Sequence, residues 1–274
     1  MNGHSIRIDG NTKTYGLLGR PVAHSLSPAM HNAGFRELNI NAVYVAYPVA
    51  DLAQAVAGLR GLQIPGVSVT IPFKEEIIPL LDEVDPRAEK IGAVNTVVNR
   101  DGLLTGHNTD WLGALLALEE ITAIAGKRCL ILGAGGAAKA IAFAIIEKGG
   151  QVAVTDVDRD KAIALARNLW VEVVAPDYLG EYPAEVLINA TPVGMEPGSG
   201  DIPLDPNLLG RYQVVMDIVY KPLATRLLTE AQARGCQVID GLRMLIHQGA
   251  AQFELWTGRP APLEVMARAA YDSL

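Results

Sequence analysis

The sequence has few of the residues that define several classes of protein. It contains only 2 cysteines among 274 residues, and aromatic residues make up 5% of the chain. Cys129 and Cys236 have neither metal-binding spacing nor a CxxC partner, so we expect both to be buried thiols in strands. Neither a disulfide scaffold nor a zinc site is indicated.

Long apolar runs and an excess of positive charge are also missing. The longest apolar stretch, at 130–146, is interrupted by Lys139 and is rich in glycine, which argues against a transmembrane helix. The first residues lack the basic, apolar and small-residue plan of a signal peptide. With 30 acidic and 23 basic residues, the chain is poorly suited to bind nucleic acid or an anionic membrane. A cytoplasmic protein is expected.

Short apolar strands alternate with helical stretches along nearly the whole chain, of which 50% is hydrophobic. This alternation predicts an α/β architecture with largely parallel sheets. We expect an N-terminal domain at 1–110, a second α/β domain at 111–240 and a helical end at 241–274. In the first domain the patterns predict strands at 15–18, 43–47 and 67–69, helices at 27–38, 52–59 and 72–81, and a hairpin of 96–98 with 103–105.

The second domain has a longer alternation of the same kind. Its patterns predict strands at 129–132, 152–155, 172–174, 186–189, 214–217 and 238–239, and helices at 137–148 and 159–169. The tail is predicted to be helical with a break at 257–260, where Gly and Pro occur together.

A glycine-rich turn follows the first strand of the second domain. Residues 133–138 give the pattern G-x-G-x-x-A between a strand and an apolar helix, which is typical of a dinucleotide site. Gly133 would permit the tight turn, and Gly135 would let a pyrophosphate approach the backbone. Asp156 ends the next strand, where a carboxylate usually binds a ribose 2′-hydroxyl. Small residues kept for packing, and a helix cap at Asp156 or Asp158, are the simpler alternatives.

Lys74 lies where the sequence predicts the start of a helix. The strand at 67–69 is followed by Pro72, which is expected to open the helix, so Lys74 would fall in the first turn. There the helix dipole disfavours a cation and favours the neutral amine, which suits a lysine used as an acid or base. A solvated lysine beside Glu75 and Glu76 is the simpler interpretation.

The stretch Gly-Arg-Pro-Val-Ala-His-Ser-Leu-Ser-Pro-Ala-Met-His-Asn at 19–32 resembles the shikimate-binding motif of the shikimate dehydrogenase family. Other motifs of this family follow in the same order over nearly the whole chain, so the resemblance is far more specific than any one motif. They are V-T-I-P-F-K at 69–74, G-A-V-N-T at 92–96, G-H-N-T-D at 106–110, G-A-G-G-A at 133–137, N-A-T-P-V-G-M at 189–195, D-I-V-Y-K-P at 217–222 and M-L-I-H-Q-G-A at 244–250.

The resemblance implies a fold and a reaction. The fold would be an N-terminal α/β substrate domain, a Rossmann-like doubly wound dinucleotide-binding domain, and C-terminal helices that pack back on the substrate domain. The reaction would be the reversible nicotinamide-dependent reduction of 3-dehydroshikimate to shikimate, in the pathway to chorismate and the aromatic amino acids. NADP is the expected cofactor, no metal is called for, and the protein would be a monomer or a homodimer.

The resemblance also implies roles for single side chains. Protonated Lys74, held by Asp110, would handle the proton at the reacting oxygen, and Ser25 and Ser27 would bind the substrate carboxylate. The other substrate-binding residues would be Thr70, Asn95 and Gln248 at the hydroxyls and Tyr220 near the carboxylate. The cofactor-binding residues would be Gly133, Ala134, Gly135, Gly136, Ala137, Asp156, Arg159, Val219 and Gly241.

Three departures from the family pattern stand out. Ser68 replaces the usual Asn of the lysine loop, and Lys139 replaces an arginine expected after the glycine turn. Residues 156–158 read Asp-Val-Asp where NADP-preferring members tend to have Asn-Arg-Thr, so the arginine that would hold a 2′-phosphate is missing. Arg159 is a candidate to compensate. We expect measurable use of NAD and weak discrimination in favour of NADP.

Other interpretations stay open. A quinate/shikimate dehydrogenase of broader specificity that uses NAD is the nearest one, although serines at 25 and 27 slightly favour shikimate. A nucleotide-sensing regulatory protein with the same fold would be expected to lack Lys74 or Asp110, and both are present. Taken singly, Ser27 with Pro28 reads as an ordinary helix start, Asn95 as a turn residue and Asp110 as a helix cap.

Overall fold

The computed structural model describes residues 8–274, which divide into two units. The first unit runs up to Thr109 and includes Gln248–Leu274, and the second unit is Asp110–His247. Each unit is built on a six-stranded sheet with helices, so the α/β prediction is confirmed. Within residues 8–274, every helix is too short or too polar to span a bilayer.

The sheet of the first unit is mixed. Its strands are β1 (Lys13–Gly19), β2 (Ala42–Pro48), β3 (Gly66–Val69), β4 (Glu83–Val84), β5 (Thr96–Arg100) and β6 (Leu103–His107), in the order β2-β1-β3-β5-β6-β4. β1 pairs in parallel with β2 and β3, whereas β5 is antiparallel to both β3 and β6. β5 and β6 form the predicted hairpin, in which Asp101 and Gly102 have φ of 54° and 92°, as a type I′ turn requires.

Helices of the first unit begin at residues that suit a helix start. α1 (Ser27–Glu37) has a proline in its first turn, and Asp51 caps α2 (Leu52–Gly61) by accepting the N–H of Gln54 at 2.9 Å. α3 (Pro86–Ile91), which the sequence did not indicate, is capped at Asp85.

The helix predicted at 72–81 is not an α-helix. The structure has successive turns there, followed by a 3-10 helix at Ile78–Leu80. The carbonyl of Lys74, which an α-helix would pair with the N–H of Ile78, instead accepts the N–H of Val94 at 2.7 Å. A second proline inside the segment also opposes an α-helix. Lys74 therefore does not lie in the first turn of an α-helix, and that part of the prediction is wrong.

Every paired strand in the sheet of the second unit is parallel to its neighbour. The strands are β7 (Arg128–Leu132), β8 (Gln151–Thr155), β9 (Glu172–Val173), β10 (Val186–Asn189), β11 (Val214–Asp217) and β12 (Gln237–Ile239), in the order β12-β11-β10-β7-β8-β9. This is the doubly wound order of dinucleotide-binding sheets, with the switch point between β7 and β10. The central strands β7, β8, β10 and β11 are largely buried and apolar except at their ends, as is typical of a parallel sheet. The Rossmann-like prediction is confirmed.

The helices that belong wholly to the second unit are α4 (Asp110–Glu119), α5 (Gly136–Glu147), α6 (Arg159–Leu169) and α7 (Arg226–Ala233). α6 has the predicted bounds. α7 was not predicted, and α4 was indicated only by Asp110 as a candidate helix cap. Both cysteines are buried and free; Cys129 lies in β7, but Cys236 directly precedes β12 rather than lying in a strand.

Two helices end the chain, with the predicted break between them. α8 (Gly241–Thr257) begins in the second unit and ends in the first, and α9 (Leu263–Tyr271) packs against α1. Gly34 permits this packing, because a Cβ there would stand 3.0 Å from the Phe253 ring and 3.3 Å from Met266.

Candidate active site

Asn95 is the centre of a buried polar cluster in the first unit. Its Oδ1 accepts the N–H of Thr109 at 2.7 Å, and its Nδ2 donates to Thr109 Oγ1 at 2.9 Å and to Gln248 Oε1 at 3.2 Å. All three residues are at most 7% exposed. The structure therefore brings together Asn95 and Gln248, both predicted to bind substrate hydroxyls, and adds Thr109, which the sequence analysis did not single out.

Thr70 and the lysine loop lie at the same edge of the sheet as Asn95. Thr70 directly follows β3 and Asn95 directly precedes the antiparallel β5, and the N–H of Val69 donates to the Asn95 carbonyl at 2.7 Å. The bond from Val94 to the Lys74 carbonyl fixes the lysine loop beside these residues. Three predicted site residues, Thr70, Lys74 and Asn95, thus come from neighbouring backbone segments.

Ser25 and Ser27 stand at the start of α1. The N–H of Ser27 donates to Ser25 Oγ at 3.2 Å, and this bond leaves the Ser25 O–H as a donor for a ligand. Ser27 is 5% exposed, and the N-cap position of α1 is Leu26, which makes no side-chain capping bond. The Ser27 hydroxyl therefore does not serve as the helix cap.

The glycine turn of the second unit lies at the switch point of its sheet. Gly133 has φ of 105°, and its N–H donates to the carbonyl of Thr155 at 2.7 Å. A Cβ on Gly133 would stand 3.0 Å from the carbonyl oxygen of Ala190, just beyond β10, so this glycine is required by the fold.

Gly135, unlike Gly133, has open space where a side chain would stand. It precedes α5 with an ordinary φ of −76°, and no atom lies within 4 Å of the position a Cβ would occupy. Gly136 and Ala137 form the first turn of α5, where backbone N–H groups and the helix dipole favour an anion. Open space beside these donors suits a pyrophosphate.

Asp156 is bonded to the glycine turn rather than capping a helix. Its Oδ2 accepts the N–H of Ala134 at 2.7 Å, and its Oδ1 accepts the N–H of Asp158 at 2.8 Å. The N-cap of α6 is Asp158, which accepts the N–H of Lys161. Of the two alternatives for the cap, Asp158 is the correct one, and Arg159 follows it as an exposed residue.

A buried carboxylate ties together the ends of β10 and β11. Asp217 Oδ1 accepts from Asn189 Nδ2 at 2.9 Å and from the N–H of Val219 at 3.0 Å, and Oδ2 accepts from Thr225 Oγ1 at 2.7 Å. Burial outweighs these donors and raises the pKa of Asp217 to about 6. The network holds the two loops that follow neighbouring strands at the edge where dinucleotides bind.

Val219 and Gly241, both predicted to contact the cofactor, are brought together. A Cβ on Gly241 would stand 2.3 Å from the carbonyl oxygen of Ile218 and 2.7 Å from that of Val219, so only glycine lets α8 begin against this loop. Tyr220 follows in the same loop, and burial raises the pKa of its hydroxyl. Asp110, 4% exposed, is the first residue of α4.

Sequence reasoning missed the residues that hold the site residues in place. Thr109, Asn189 and Asp217 lie in motifs that were quoted but given no role, so their motif membership was the available signal. Thr225 and Gln252 gave no such signal. Among residues 8–274, no three His, Cys, Asp or Glu side chains are grouped as a metal site would need.

The doubly wound sheet, the glycine turn and the polar cluster define a nucleotide-dependent α/β enzyme of the dehydrogenase class. The family model for the shikimate dehydrogenase substrate binding domain matches residues 17–97, and that for the shikimate 5'-dehydrogenase C-terminal domain matches residues 241–271. A protein of Thermococcus kodakarensis named shikimate dehydrogenase (NADP(+)) is 50% identical over 271 residues, covering 97% of this chain and 98% of its own.

Solved structures give the same result. A shikimate dehydrogenase in complex with NADP+ is 42% identical, with a TM-score of 0.92 and coverage of 97% of both chains. The shikimate 5-dehydrogenase of Thermus thermophilus in complex with NADP(H) and shikimate is 41% identical, with a TM-score of 0.88, covering 96% of this chain and 100% of that one. The chain belongs to the shikimate dehydrogenase family, and the resemblance found in its sequence is confirmed.

The two glycines of the turn should respond differently to alanine. Gly133→Ala should lower the free energy of unfolding by about 1–3 kcal/mol, because its positive φ and the nearby Ala190 carbonyl leave no room for a methyl group. Gly135→Ala should leave unfolding unchanged but weaken NADP binding at least about 10-fold, because its methyl would fill the space offered to phosphate. Denaturant unfolding and NADP titration measure both. Wild-type NADP affinity in Gly135→Ala would contradict this account.

Asp217 should make stability depend on pH. Its pKa in the folded protein, about 6, lies above the ordinary 3.8, so the folded state binds the proton more tightly than the unfolded chain does. The stability that this adds is complete below about pH 4 and is lost as the pH rises through 6. The difference in unfolding free energy between wild type and Asp217→Asn should therefore shift in favour of the variant between about pH 4 and 7. A constant difference over that range would show that Asp217 does not titrate there.

Proposed function

We propose that the protein is an NADP-dependent shikimate dehydrogenase that catalyses the reversible reduction of 3-dehydroshikimate to shikimate. The observation that carries this proposal is 50% identity over 97% of the chain with a shikimate dehydrogenase (NADP(+)). The geometry of each unit supports it, because one presents a buried cluster of amides and hydroxyls and the other presents a turn shaped for pyrophosphate.

The second unit would hold the dinucleotide. Gly133, Gly135 and the first turn of α5 would bind the pyrophosphate, and Asp156 would face the adenosine ribose. Val219 and Gly241 would line the nicotinamide end, where the Asp217 network fixes the loop. NADPH, when bound, supplies the hydride.

The first unit would bind the substrate. Ser25 would donate to the carboxylate, with Ser27 beside it, and Thr70, Asn95 and Gln248 would contact the ring hydroxyls. A small polyol acid needs such neutral donors and acceptors at fixed positions, and each of these residues is fixed by backbone or side-chain hydrogen bonds.

Lys74 and Asp110 would carry the proton chemistry. A protonated Lys74 would give its proton to the oxygen of the reduced ketone, and Asp110 would act with it as the second member of the pair.

Steady-state assays of the wild-type protein test the function. Shikimate and quinate should each be offered with NADP and with NAD, at pH values where oxidation is favourable. Shikimate with NADP should give the highest kcat/KM. A higher kcat/KM for quinate would replace the proposal with the quinate/shikimate alternative, and turnover of neither would favour a nucleotide-sensing protein.

Lys74→Ala should lower kcat by about 10²–10⁴-fold while NADP binding and unfolding stay near wild type, because only the proton donor is removed. Asp110→Asn should also lower kcat, and the double variant should lose less than the product of the two single losses, since residues acting as one unit do not sum. Lys13→Ala, an exposed lysine of β1, is the control and should keep full activity. Substantial turnover by Lys74→Ala would exclude Lys74 as the proton donor.

Cofactor choice should follow residues 156 and 157. Asp156 would repel a 2′-phosphate. Val157 is fully exposed, so an arginine in its place would be able to reach the phosphate. Asp156→Asn with Val157→Arg should raise kcat/KM for NADP and lower it for NAD, since one amide oxygen can still accept the Ala134 N–H. The unmodified protein should use NAD measurably. Strict dependence on NADP would instead point to compensation by Arg159.

A further inference from the structure

A chain of buried hydrogen bonds ends at Asn95. Tyr44 Oη donates to Ser68 Oγ at 2.7 Å, and Ser68 Oγ donates to Gln252 Oε1 at 2.7 Å. Gln252 Nε2 donates to the Asn95 carbonyl at 3.1 Å and to Thr96 Oγ1 at 3.0 Å. Thr96 Oγ1 in turn donates to Asn95 Oδ1 at 2.7 Å. These five residues belong to one unit and are at most 4% exposed.

The direction of each bond is fixed by backbone groups. The Asn95 carbonyl can only accept, so the Gln252 amide nitrogen must face it and the Gln252 oxygen must face Ser68. An amide oxygen only accepts, so the Ser68 hydrogen points to Gln252 and Tyr44 must donate to Ser68. All of these hydrogen bonds therefore have the same donor-to-acceptor direction, from Tyr44 towards Asn95.

The same reasoning fixes the Asn95 amide. Its oxygen accepts from the Thr109 backbone N–H and from Thr96 Oγ1, which holds the nitrogen on the opposite side, towards Gln248. Asn95 therefore presents its nitrogen, and not its oxygen, on the side of Gln248. The two hydrogens of Nδ2 are donated to Thr109 Oγ1 and Gln248 Oε1, so a substrate hydroxyl that meets Asn95 there would replace one of these acceptors.

The Ser68 hydroxyl is fully used within this series of hydrogen bonds. A serine hydroxyl has one hydrogen, and that of Ser68 is used by Gln252. Ser68 therefore has no donor left for a substrate oxygen.

We propose that Gln252 is a positioning residue for substrate binding, which together with Tyr44, Ser68 and Thr96 orients the Asn95 amide. Gln252 lies one helical turn beyond Gln248 on α8, and it acts on the substrate only through Asn95. This inference rests on the proposed function, because the ligand at Asn95 is taken to be shikimate.

Gln252→Met removes the amide while keeping the length of the side chain. The KM for shikimate should rise about 10-fold, a loss typical of one misplaced hydrogen bond, while kcat and the KM for NADP change less than about 3-fold. Because Gln252 acts through Asn95, adding Gln252→Met to Asn95→Ala should raise the KM no further. An unchanged KM in Gln252→Met, or a second full rise in the double variant, would overturn the proposal.

Tyr44→Phe provides an independent test that keeps the aromatic packing. It removes the first donor of the chain, and the KM for shikimate should rise about 2- to 5-fold. Tyr15→Phe is the matched control and should leave the KM unchanged. Tyr15 and Tyr44 are both buried in one aromatic cluster, with ring centroids 5.5 Å and 6.1 Å from that of Trp256. Equal effects of both variants would show general loosening of the cluster and would overturn the proposal.

Thermal unfolding distinguishes a positioning role of Gln252 from a purely structural one. Assays of the wild type distinguish failure of this inference from failure of the proposed function. A variant that unfolds at a lower temperature yet keeps the wild-type KM would assign Gln252 a purely structural role, which contradicts the proposal. If the wild type does not turn over shikimate, the proposed function fails, and this inference fails with it. Normal wild-type turnover with no effect of either variant overturns this inference alone.

Discussion

The site in the first unit depends on one constraint, the need to satisfy a buried amide. Asn95 sits where β3 and β5 meet, and its side chain finds partners in a backbone N–H, two threonines and a glutamine of α8. An unpaired polar group at this depth would cost about 1–3 kcal/mol, so the loop before β5 and the helix α8 are held to one arrangement. Asn95 and Gln248, both assigned to the substrate, take their positions from that arrangement.

In the second unit, a buried carboxylate that needs hydrogen-bond partners has the same effect on the surrounding loops. Parallel strands of a doubly wound sheet end at one edge, and the loops that follow need a common anchor. Asp217 accepts three donors from the ends of β10 and β11 and from Thr225, and burial raises its pKa to about 6. In the same sheet, the Asp156 carboxylate fastens the end of β8 to the glycine turn. Both units thus use buried polar groups to hold the loops that would contact ligands.

Much of the fold could be predicted because it follows from local pattern. An apolar strand and an apolar helix with a glycine turn between them predicted β7 and α5, and the Asp-Gly turn predicted the β5–β6 hairpin. The segment at 72–81 was mispredicted because the partner of the Lys74 carbonyl, Val94, is distant in sequence. α3 and α7 were missed because they are short, at 6 and 8 residues.

The site was predictable only in part, for the same reason. Motifs identified Asn95 and Gln248, but the bond between Ser68 and Gln252 joins residues 184 positions apart, and no local pattern reports it. Identification of the reaction product tests the central claim most directly. Incubation of the wild-type protein with 3-dehydroshikimate and NADPH, followed by NMR, should show shikimate formed in equal amount to the NADPH oxidised. NADPH that remains unoxidised, with 3-dehydroshikimate unchanged, would contradict the account.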